Sequence, residues 1–186
     1  GSLLGVNTDG EGCCNALESA GAVLASSKVV IIGAGGTARA VIAAMSLRGV
    51  AEIAVVNRTN SRAKDAASIT SLARVGVESD IAHANIVVNT TPVGMGASSK
   101  SEFPCDVAFL GHGQFVLDVV YSPLNTPFLR AARKVGATTV DGLDMLVHQG
   151  ALQQQHWLGR LPSVEVMRTA ALEELGKRSA GNVPIA

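Results

Sequence analysis

Gly33-Ala34-Gly35-Gly36-Thr37-Ala38-Arg39 contains the residue types that hold a chain of phosphates. It follows a β-branched run and opens an alanine-rich one. Gly33 permits a tight turn, and Gly35 lets the backbone approach a pyrophosphate. Ala38 takes the third small position, where a helix must pack closely on a strand. Amides from Gly35 to Thr37, at the start of that helix, would face the anion. The plain alternative is a glycine-rich strand–helix corner that holds nothing.

A second polar segment, Asn57-Arg58-Thr59-Asn60-Ser61-Arg62, follows another apolar run. Sites for NAD usually place an acid at this point to hold the ribose 2′-hydroxyl. Asn57 stands there instead, with Arg58, Thr59 and Arg62 behind it. Two guanidiniums can grip a 2′-phosphate with paired hydrogen bonds and stack on adenine. As solvated side chains alone, the arginines would sit mildly unfavourably near the positive end of a helix. The expected cofactor is therefore NADP.

Asn89-Thr90-Thr91-Pro92-Val93-Gly94-Met95 is the third such loop. Pro92 and Gly94 fix its path, and the hydroxyls of Thr90 and Thr91 could donate to ribose or phosphate. By composition it is only a polar loop. Together the three segments describe one nucleotide pocket. Asp9 precedes Gly10 and a helical pattern, so local physics reads it as a turn or cap residue. Met145, at helical spacing, reads equally well as core.

The elements that must position these residues follow from periodicity. Strand-like runs fall at residues 28–32, 52–56, 86–88, 116–120 and 138–140, with a weaker one at 74–77. Helical patterns cover 11–20, 37–48, 61–73, 128–134, 143–158 and 164–175. Alternation of this kind predicts an α/β fold: a doubly wound, Rossmann-type parallel sheet with helices on both faces. The 186 residues read as a single dinucleotide-binding domain. Residues 1–25 form a linker helix, 26–142 the core, 143–178 the carboxyl-terminal helices, and 179–186 a frayed tail. Every polar loop named above then lies at the carboxyl edge of the sheet.

Composition narrows the function. Hydrophobic residues make up 47% of the chain, as in a globular protein, while aromatics at 3% leave no platform for stacking bases. A formal net charge of zero argues against nucleic-acid or anionic-membrane partners. No apolar run reaches membrane-spanning length. Cys13, Cys14 and Cys105 fit no metal spacing, so they are expected as free thiols in a reducing, cytoplasmic setting, with no metal site. Gly1 and Ser2 read as a cloning scar, and the chain as a fragment.

With Val6-Asn7-Thr8-Asp9, Asp118-Val119-Val120-Tyr121-Ser122-Pro123 and Gly142-Leu143-Asp144-Met145-Leu146-Val147-His148-Gln149 added, the chain resembles the shikimate dehydrogenase family. Trp157 and Gly159 stand at the family's later positions, and Gln154 stands where many relatives carry an aromatic. The resemblance implies the NADP-binding part of an oxidoreductase that reduces 3-dehydroshikimate to shikimate in aromatic biosynthesis. It puts Gly142 and Met145 by the nicotinamide, Gln149 and Tyr121 by the substrate, and Asp9 beside a catalytic lysine. Pro92 and Val93 belong to the cofactor loop. That lysine and a Ser-x-Ser carboxylate clamp belong to an amino-terminal domain; Lys28, Lys64, Lys100, Lys134 and Lys177 match no such motif. A quinate-preferring sister enzyme and a non-catalytic NADP-binding module remain open. A methylene-tetrahydrofolate dehydrogenase is disfavoured by the Asn-Thr-Asp and Asn-Thr-Thr-Pro pair.

Overall fold

Val29-Val30-Ile31-Ile32 has no polar alternation, and both of its faces are buried. Such a run belongs at the centre of a parallel sheet covered twice. The computed structural model, which describes residues 2–96 and 103–180, places it there. Strand β1 (Lys28–Ile32) is flanked by β2 (Glu52–Val56) and β4 (Ile86–Asn89). Beyond them lie β3 (Ala73–Val75), β5 (Phe115–Asp118) and β6 (Thr138–Val140). All pairs are parallel, in the order β3-β2-β1-β4-β5-β6. The order reverses between β1 and β4, so a crevice opens beyond their carboxyl ends.

Val29, Ile31, Ile53, Val55 and Val88 pack on one face with α1 (Asp9–Ser19), α2 (Gly36–Leu47) and α3 (Asn60–Ala67). Met145, from α5 (Gly142–Leu158), joins that cluster. Val30, Ile32, Ala54 and Val87 pack on the other face with Phe128, Leu129 and Ala132 of α4 (Pro127–Lys134). Thr126 caps α4 by accepting from the Leu129 amide (3.2 Å), and Pro127 takes the first turn, where its missing N–H costs nothing. Helix α6 (Val164–Ala180) packs on α5, where Arg168 bonds to Asp141 (2.7 Å) and Asp144 (2.6 Å).

Several boundaries differ from expectation. Helix α3 stops at Ala67, not at 73, because the following residues turn back to seat Ala73–Val75 against Ile53–Val55. Ile69, just past the end of the helix, is exposed. Strand β5 ends at Asp118, two residues before the expected 120, where its side chain turns inward to hydrogen-bond. Helix α6 runs to Ala180, so residues 179 and 180 of the expected tail are helical. Residues 181–186 of that tail, and Lys100, lie outside the described residues. The three cysteines are buried free thiols, and burial pushes those of Cys14 and Cys105 up to about 12.

Candidate functional site

The glycine turn has the geometry its sequence demands. Gly33 sits at φ +111°, a conformation that β-carbons disfavour, and a Cβ there would fall 2.5 Å from the Thr90 hydroxyl oxygen. Gly35 is the N-cap of α2, and a Cβ on it would meet no atom within 4 Å. Arg39 donates the first intrahelical bond to the Gly35 carbonyl (3.1 Å). The amides of Gly36, Thr37 and Ala38 precede it and have no acceptor within the helix. Open space above free amides at a positive helix end is a cradle for an anion.

From this turn a cleft of about 850 Å³ runs toward the β2 and β3 side of the sheet. Gly33, Asn57, Arg58, Thr59, Arg62, Thr91, Pro92 and Val93 all line it, so the structure brings the three sequence loops together. Asn57 spends its amide on the Thr59 carbonyl (2.9 Å), which fixes the bend that follows β2. Arg58 and Arg62 are exposed and, among the described residues, neither makes an ion pair or hydrogen bond. Phe103 and Pro104 add apolar lining, as do Val56 and Val77. Glu78, which no sequence pattern singled out, puts a carboxylate in the same wall.

The threonines behave differently from expectation. Thr90 donates its hydroxyl to the Ile32 carbonyl (2.7 Å), and Thr91 donates to Asn89 Oδ1 (2.7 Å). Their protons are engaged within the protein, so toward a ligand they can only accept. Thr90 braces the glycine turn, while Thr91 shapes the cleft wall.

That wall rests on a buried node. Asp118 is fully buried at the end of β5 and accepts from Asn89 Nδ2 (2.9 Å), the Val120 amide (3.1 Å) and the Thr126 hydroxyl (2.7 Å). Burial pushes its carboxyl up, and these hydrogen bonds pull it back toward the ionised form. Asn89 Oδ1 in turn accepts from the Thr91 amide (3.0 Å). One carboxylate thereby sets the cofactor-side loop and the α4 cap. Asn89 and Asp118 each follow an apolar run in the sequence, but nothing there shows that the two side chains meet.

The other end of the crevice is built on α1 and α5. Gly142 opens α5 so close to β5 that a Cβ would lie 2.4 Å from the Val119 carbonyl oxygen. Met145 is buried, one turn further on. Gln149 Oε1 accepts from Thr8 Oγ1 (3.3 Å) and Gln153 Nε2 (3.1 Å), while its own amide nitrogen has no acceptor among the described residues. Thr8, not Asp9, is the N-cap of α1, and it makes no capping bond through its side chain. Asp9 stands in the first turn, facing a shallow depression lined by residues 5–9 and Gln153. Among the described residues no lysine lines it. Tyr121 is exposed near the β5 end. His148 is half-buried and its imidazole pushed down by burial, and His156 is exposed.

A parallel sheet reversing at β1 and β4, with a glycine turn at the reversal, defines a dinucleotide-binding domain of the doubly wound class. A family model described as shikimate / quinate 5-dehydrogenase matches residues 15–93, and one described as shikimate 5′-dehydrogenase C-terminal domain matches 142–172. A shikimate dehydrogenase (NADP(+)) of Symbiobacterium thermophilum is 42% identical over 187 residues, covering 94% of this chain and 64% of that relative. The solved Thermus thermophilus shikimate 5-dehydrogenase, in complex with NADP(H) and shikimate, superposes with TM-score 0.83 at 37% identity. That match covers 91% of this chain and 63% of the other. Quinate dehydrogenase from Corynebacterium glutamicum, in complex with NAD, gives 0.81 at 35% identity, with 91% and 63% covered. The chain belongs to the shikimate dehydrogenase family. It spans just under two-thirds, 64%, of the length of the first of these relatives.

Proposed function

We propose that this chain is the NADP-binding part of a shikimate dehydrogenase, whose reaction is the reversible, NADPH-dependent reduction of 3-dehydroshikimate to shikimate. The observation that carries the reading is the pair of unpartnered guanidiniums, Arg58 and Arg62, at the end of β2, where Asn57 replaces an acid. They would take the 2′-phosphate. Gly33 to Ala38 would hold the pyrophosphate, and Thr90, Thr91, Pro92 and Val93 would border the riboses. Gly142 and Met145 would border the nicotinamide. The residues present fit such a group, since the Gly35 cradle is open and its amides are free.

When bound, the cofactor supplies or takes up the hydride. The alkoxide so formed needs a proton, and Asp9 would orient and tune a lysine that carries it. The free amide nitrogen of Gln149 would donate to a substrate hydroxyl, with Tyr121 on the same edge. The absence of a lysine from the lining of the Asp9 depression supports a second reading for these 186 residues taken alone: a module that binds NADP without turnover. Titration calorimetry tests the cofactor, with NADPH expected to bind more tightly than NADH. Equal affinities would overturn the assignment. Assays with shikimate and with quinate, on a form extended upstream, separate the two substrates.

A further inference from the structure

Resting on that reading, the structure assigns Glu78 as the residue that selects the base of the cofactor: its carboxylate accepts from the 6-amino group of adenine. The direction of the dinucleotide follows from topology. The pyrophosphate would sit over the start of α2, after β1, where Gly35 is the N-cap. Gly142, Met145 and Gln149 lie after β6, on the β4–β5–β6 side. Arg58 follows β2, on the opposite side, so the ribose bearing the 2′-phosphate lies there. The base attached to that ribose extends along the cleft toward the end of β3, where Val77 and Glu78 stand in the wall.

Glu78 is held ready for such a contact. Its Oε2 accepts from the Asp106 amide (3.1 Å), and Oε1 has no donor among the described residues. The backbone beneath it is fixed as well. Asp80 accepts from the Val77 amide (2.8 Å) and is held by Arg74 through two hydrogen bonds (2.8 and 3.0 Å). A carboxylate in a cleft that must take a phosphate works against that phosphate electrostatically. A hydrogen-bond donor on the ligand offsets this cost. Adenine presents a donor at position 6, whereas hypoxanthine presents a carbonyl oxygen, which would face the carboxylate acceptor to acceptor.

The test is calorimetry with NADPH and with its hypoxanthine analogue, on the wild-type chain and on Glu78→Gln. Glutamine keeps the shape and can rotate to donate as well as accept. The wild type is expected to prefer NADPH by about tenfold, as for a lost hydrogen bond to a charged group. Glu78→Gln is expected to reduce that preference at least several-fold and, by removing a charge that opposes the 2′-phosphate, to leave the ratio of NADPH to NADH affinity no lower than in the wild type. An undiminished preference for adenine in a folded Glu78→Gln variant, or a wild type indifferent to the two bases, would overturn the assignment. Failure of the wild type to bind NADPH at all would instead overturn the functional reading beneath it.

Discussion

At the scale of single residues, the cofactor cleft makes two sharp predictions. The Arg58 side chain makes no ion pair or hydrogen bond among the described residues, so its removal breaks none. Arg58→Ala is expected to weaken NADPH binding by about 1.5–3 kcal/mol, the value of a charge-assisted hydrogen bond, and to leave NADH nearly unchanged. Calorimetry giving equal losses for both would remove Arg58 from the 2′-phosphate. Gly35 tests the cradle in the opposite way. A Cβ there meets nothing within 4 Å, so Gly35→Val should leave the circular dichroism spectrum intact and abolish NADPH binding. Unchanged affinity in that folded variant would make the turn a mere corner. The positions of both residues at the carboxyl edge of the sheet were legible in the sequence because each has a strand before it and a helix after it. Glu78 was not, since its place in the cleft that Arg58 also lines is created by the pairing of β3 with β2.

Elements carry a different kind of information. The central strands were legible because unbroken β-branched runs admit few alternatives. The end of α3 was not: alanine and serine persist beyond Ala67, yet pairing of Ala73–Val75 with β2 outweighs their helix propensity. The Asn89–Asp118–Thr126 node joins residues remote in sequence, so no periodicity could reveal it. Its prediction belongs to the elements it joins. Asp118→Ala would strand the buried amide of Asn89 and the hydroxyl of Thr126, at a cost of roughly 2–4 kcal/mol in urea denaturation. Asp118→Asn keeps the shape and should cost less; equal losses would show that volume, not hydrogen bonding, matters there. The β3 end makes a pH prediction. The Arg74 hydrogen bond leads in holding the Asp80 carboxyl below its ordinary value, against some desolvation. A group depressed in the folded state stabilises above its unfolded pKa, and that contribution is lost as pH falls through the folded one. Asp80→Asn should therefore cost about 1 kcal/mol at neutral pH and progressively less below about pH 4. A difference that stays constant into acid would dissociate Asp80 from the ion pair.

For the whole molecule, the sheet divides the work. The β2–β3 side holds cations and a base-sized cleft, and the side beyond β4 holds Gly142, Gln149 and, across α1, Asp9. Among the described residues no helix is long and apolar enough to cross a membrane. Among the described residues, this arrangement offers a cleft for the proposed cofactor, a carboxylate and one amide donor, and no lysine lines the Asp9 depression. General acid–base catalysis contributes about 10²–10⁴-fold, and positioning of the substrate can contribute more. These 186 residues alone are therefore expected to bind NADPH and yet show no detectable oxidation of shikimate. A form extended upstream should turn it over. In that form Asp9→Asn should lower kcat by at least tenfold while the Kd for NADPH stays within about twofold, because Asp9 lies at the α1 end of the crevice, away from the cleft that Arg58 lines. Robust NADP reduction by the 186 residues alone, in a preparation free of any host dehydrogenase, would mean that the shikimate hydroxyl loses its proton by a route that needs no lysine beside Asp9.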